Sequence, residues 1–68
     1  MYEVLVGNVG IVWEDSRERY PHKRLWAARI IFNDWVEASK AGNGRAGGEP
    51  VYLLRNGEPI EEYEPDED

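Results

Sequence analysis

One stretch of this chain, from about Pro21 to Lys40, is long enough and periodic enough to form a helix; short β-type runs punctuated by Gly, Pro and Asn lie on either side of it. Pro21 suits a first helical turn, because its missing N–H would have no partner there and its fixed φ is already helical. Gly42 can take the left-handed conformation that ends a helix. A lone helix flanked by strands confines the chain to a few small architectures, and the strand runs choose among them.

Before the helix, Tyr2 to Val6 alternates β-favouring residues, Gly7-Asn8-Val9-Gly10 breaks the run, and Ile11 to Glu14 resumes it, which predicts a hairpin. Glu14 to Tyr20 is a polar connector. After the helix, Gly42 to Pro50 is a loop and Val51 to Arg55 a strand. Asn56-Gly57 is the dipeptide that most favours a type I′ turn, and Ile60 to Tyr63 returns. Pro59 cannot donate to a β-ladder, so the last strand is expected to begin late and to lie at an edge. The order strand, strand, helix, strand, strand predicts an α+β domain of ββαββ form over residues 1–63. It consists of a four-stranded antiparallel sheet with one helix on one face, followed by an acidic disordered tail over 64–68.

This layout raises a question of cover. Both alternating sets are apolar in several strands, as in Val4 and Leu5, Val12 and Trp13, and Leu53 and Leu54. An antiparallel sheet with one wet face normally alternates cleanly. One helix covers one face, so the other is expected to carry an apolar patch or to be covered by a second chain. A chain of 68 residues without cysteine gains only ~3–5 kcal/mol of net stability from a single core, which adds to the expectation of a partner.

The helix shows a similar surplus. At 100° per residue, Leu25, Ala28, Ile31, Phe32, Trp35, Val36 and Ser39 gather on one arc, flanked by Ala27 and Ala38. The other face holds Arg29, Asn33, Asp34, Glu37 and Lys40, with Trp26 and Ile30 adjacent among them. Trp26 either folds over the connector Asp15 to Tyr20 as a lid or, with Ile30, Arg29 and Asn33, forms a partner-binding patch of the kind in which aromatic residues are enriched.

Charge is unevenly placed. The net charge is −6, but Glu58, Glu61, Glu62, Glu64, Asp66, Glu67 and Asp68 supply seven acids after residue 57, leaving the body near +1. Residues 17 to 29 carry Arg17, Arg19, Lys23, Arg24 and Arg29 against Glu18 alone. The acidic end reads as a solvated terminus, or as a strip that imitates DNA or docks a partner. Arg17, Arg19, Lys23 and Arg24, with Arg45, are candidate contacts to an anion or nucleic acid, and Tyr20, Trp13 and Trp26 are available for stacking. The acidic tail and a pI near 4.7 disfavour that alternative.

No catalytic constellation can be assembled. His22 has Glu18 and Asp15 near it in sequence but falls in the first helical turn among Arg and Lys, where no pocket would tune its pKa. Ser16 and Ser39 have no associated base. Without cysteine, thiolate nucleophiles, disulfides and cysteine-bound zinc are excluded. The expectation is a non-enzymatic protein without cofactor or metal. The loop Gly42-Asn43-Gly44-Arg45-Ala46-Gly47-Gly48 admits two readings. It is a phosphate cradle, or a helix cap and crossover in which Arg45 meets the last helical carbonyls or Glu49. It follows a helix C-terminus, whose partial negative charge repels anions, and lacks the Lys-Ser/Thr of a P-loop. No apolar run approaches a membrane span, and MYEVLV lacks the basic region of a signal peptide, so the expected location is the cytoplasm.

Gly7-Asn8-Val9-Gly10 with Val12, the run Trp35 to Lys40, Gly42, Gly44-Arg45, Gly48-Glu49, Val51, Leu53 and Asn56 to Ile60 together resemble small uncharacterised proteins of bacteriophages and bacteria. The resemblance covers most of the chain except residues 14 to 30 and brings no catalytic motif. It implies a setting in which small, acidic, cofactor-free phage proteins bind and inhibit a host machine, as anti-CRISPR and other anti-defence proteins do. The basic run Tyr20 to Arg24 does not fit a DNA mimic over its whole surface. The resulting expectation is a protein-binding module that inhibits a host machine such as a defence nuclease complex, with a protein partner and a homodimer through the sheet face or the helix patch as a further option.

Overall fold

The computed structural model describes residues 1–15, 23–42 and 44–65. Four strands, β1 (Tyr2–Val6), β2 (Gly10–Glu14), β3 (Val51–Arg55) and β4 (Glu58–Tyr63), form one antiparallel sheet in the order β2-β1-β3-β4. One helix, α1 (Arg24–Ala41), and a short 3-10 turn (Gly44–Ala46) stand between the hairpins. The fold is α+β, ββαββ, as the pattern of runs predicts.

The alternation of the strands decides the core. Val4 and Val6 of β1 lie beside Leu53 and Val51 of β3, and all four are fully buried. Onto them α1 lays Ala28, Phe32 and Val36, its buried apolar residues, while Leu25, Ile31, Trp35 and Ala38 pack at the margin. Trp13 pairs with Val4 and so shares the helix-covered face, with Val12 beside it. The register slips between the Val4 and Leu5 pairs, a bulge that lets both Val12 and Trp13 pack against the core.

Three boundaries differ from the expected ones. α1 begins at Arg24 rather than Pro21, and Pro21 falls outside the described residues. β2 begins at Gly10, whose φ of 101° carries it out of the turn, rather than at Ile11. β4 begins at Glu58, before Pro59. The proline is accommodated because β4 is an edge strand, as anticipated, and the ladder slips between the Leu53 and Leu54 pairs, leaving Ile60 as the extra residue. The hairpin turn is as predicted: Arg55 pairs with Glu58, and Asn56 (φ 50°) and Gly57 (φ 85°) both take the positive φ that a type I′ turn demands.

The helix ends as its sequence indicates. Gly42 adopts φ 72°, ψ 25°, and its N–H reaches the carbonyls of Ala38 and Ser39. Its start is less well provided: Lys23 at the cap position makes no side-chain cap, and no acid stands in the first turn.

Candidate interaction surfaces

On the outward face of α1 the four residues expected outside the sheet-facing arc are all exposed. Trp26 is 63% exposed and Ile30 42%, and Arg29 and Asn33 are exposed beside them. Of the three tryptophans, Trp13 and Trp35 are partly buried against the core, so the exposure of Trp26 is not shared by the others. Lys23 Nζ lies 5.6 Å from the Trp26 ring centroid, a cation–π distance. Arg29 Nε donates to Glu61 Oε2 of β4 at 2.9 Å. The apolar element of the patch is therefore Trp26 with Ile30, and Arg29 is engaged by Glu61 at the margin between helix and sheet. Of the connector Asp15 to Tyr20, over which the lid reading folds Trp26, residues 16–20, with Ser16, Arg17, Arg19 and Tyr20, lie outside the described residues, as does His22. Of the candidate anion contacts, Lys23, Arg24 and Arg45 are exposed.

The other face of the sheet is fixed by register, because residues directly paired across strands share a face. One cross-strand row runs Glu14, Glu3, Leu54, Pro59; the next runs Ile11, Leu5, Tyr52, Glu62. Ile11 is 48% exposed, and Leu5, Tyr52 and Leu54 are partly exposed. The expected apolar patch is there, and the rows add something that single-strand alternation did not reveal. Every charge in these two rows is negative.

The glycine loop is a structural clasp. Gly48 N–H donates to Ser39 O, Gly47 N–H to Gly44 O and Glu49 N–H to Ala46 O, while Ser39 Oγ donates to Glu49 O at 2.7 Å. Ala46 is buried beneath it. The amides of Gly47, Gly48 and Glu49 are thereby engaged within the chain and are not free to cradle a phosphate, which favours the cap-and-crossover reading. Asn8 donates from its side chain to Glu49, and Gly7 N–H to Pro50 O at 2.9 Å, tying the loop to the β1–β2 turn. Arg45, expected on the helical carbonyls or Glu49, stands exposed at the 3-10 turn.

One polar residue was missed by sequence reasoning. Asp15 is 2% exposed, and its Oδ2 accepts the Tyr2 N–H at 2.9 Å, continuing the β1–β2 ladder with a side chain. The only sequence signal for it is its place directly after a strand. Among the described residues no group of three His, Asp or Glu could hold a metal ion, and no helix is long and apolar enough to cross a membrane. No protein-family model, curated protein or solved structure matches this chain.

Proposed function

We propose that this protein is a non-enzymatic protein-binding module working in the cytoplasm, and that Trp26 and Ile30 on the outward face of α1 are its principal contact. The observation that carries the reading is the 63% exposure of Trp26 in a chain whose other two indoles pack against the core. Leaving an indole in water forgoes stabilisation a domain this small needs, and an exposed aromatic beside an aliphatic neighbour suits the centre of an interface. The resemblance to small phage and bacterial proteins supports a host machine, such as a defence nuclease complex, as the partner. The lack of cysteine is in keeping with a reducing compartment.

Nucleic-acid binding through Arg17 to Arg29 has less support, since Arg29 is engaged by Glu61 and the fold is acidic beyond that block. The test is a photo-crosslinking amino acid at position 26, introduced in host cells. A discrete adduct with one host protein, lost when Ile30→Asp is added, is the expected result. A diffuse ladder insensitive to Ile30 counts against the proposal. Inhibition of a purified defence nuclease by the protein, relieved by Trp26→Ala, would specify the host machine.

A further inference from the structure

The helix patch does not account for the opposite side of the molecule. There Leu5, Tyr52 and Leu54 form an apolar strip on the two inner strands, extended by Ile11 on β2. Glu3 stands in one row with Leu54, and Glu62 stands in the other with Tyr52. Glu14 lies directly across from Glu3. The strip thus has carboxylates on both flanks and no Lys or Arg in either row.

This charge pattern selects among occupants. A second copy stacked face to face would bring two sets of carboxylates into one desolvated interface, which like charges oppose. Nucleic acid and anionic membrane are repelled for the same reason. A partner that is apolar along its centre and cationic at its margins satisfies both features. Geometry narrows it further. Glu3 and Glu62 stand two strand spacings and one row apart, which places their Cα atoms about 12 Å from each other. On a helix, residues seven or eight apart lie on one side at roughly 10–12 Å, with positions three and four on the same side between them.

We infer that the open face of the sheet docks an amphipathic helix of a partner protein, one carrying Lys or Arg at two positions seven or eight apart with apolar residues between them. The added helix completes an α/β/α sandwich, the arrangement that buries a sheet with two apolar faces. The cations meet Glu3 and Glu62, and the apolar side chains lie on Leu5, Tyr52 and Leu54. This surface is distinct from the Trp26 patch, so each can fail without the other.

The test uses a synthetic Ala/Gln-based helical peptide with two Lys seven apart and two Leu between them, and a control in which Glu replaces both Lys. Each is titrated into the full-length protein while backbone amide resonances are followed. The Lys peptide is expected to give saturable shifts centred on residues 3–5, 52–54 and 62, with affinity falling at least roughly threefold between 0.05 and 0.5 M salt. The Glu peptide is expected to give none. In E3K/E62K the preference should invert; Glu62→Lys alone, at an exposed edge-strand position, should weaken binding of the Lys peptide if the double variant does not fold. Shifts centred on Trp26 or on the C-terminal acids, binding unaltered by Glu62→Lys, or no shifts at millimolar peptide would each overturn the inference.

Discussion

Arg29 of α1 and Glu61 of β4 meet at 2.9 Å across 32 residues of sequence, joining the middle of the helix to the edge strand farthest from the first hairpin. Both side chains are well exposed, so solvent and salt screen the attraction. A double-mutant cycle with Arg29→Ala and Glu61→Ala should give a coupling energy of about 0.2–1 kcal/mol in dilute buffer, vanishing in molar salt. A larger, salt-insensitive value would mean that the pair aligns helix and sheet rather than decorating their margin.

Trp26 and Leu53 should respond oppositely to truncation. Leu53 is fully buried beneath the helix, and Leu53→Ala should cost ~2–5 kcal/mol, most of what a domain of this size possesses. Trp26→Ala should change the urea midpoint by no more than corresponds to ~0.5 kcal/mol, as befits an exposed position. A large loss at position 26 would make the indole a structural lid.

The contrast bears on what the sequence could reveal. Helical periodicity located Phe32, Val36 and Ala28 on the inner arc and Trp26 and Ile30 outside it, because that inference needs only the 100° step. The Asn56-Gly57 turn and the Gly42 cap were equally legible, since each rests on a backbone conformation few residues tolerate. The acidic composition of the open face was not. Glu3, Glu14 and Glu62 come from three strands, and only the register, including two bulges that no local pattern announces, brings them onto one surface.

Asp15 was hidden for a similar reason, and it offers a direct test. Its carboxylate takes the Tyr2 N–H, so Asp15→Ala leaves that amide without its partner and should cost ~1–3 kcal/mol by urea denaturation. Hydrogen exchange at Tyr2 should accelerate in parallel. Asp15→Asn, which retains an acceptor oxygen, should lose less.

The clasp after α1 should prove sensitive at Gly47. A methyl group there would stand 2.7 Å from the Gly42 carbonyl carbon, too close for either backbone to remain in place. Gly47→Ala should therefore destabilise by ~1–3 kcal/mol, with amide shifts reaching Ser39 and Glu49, whose hydrogen bonds hold the loop. Indifference to the methyl would mean that the loop does not hold the helix end.

Arg24 of α1 and Lys23 at its cap stand exposed on the side of the sheet opposite Glu3, Glu14 and Glu62. Charge of opposite sign thus stands on either side of the sheet among these residues, with Asp34 and Glu37 of α1 and Glu61 of β4 offsetting part of the positive side. Near a charged neighbour, within a Debye length of ~8 Å at physiological salt, such a body feels a torque as well as a pull. Such a torque favours one side for first contact before any side chains touch.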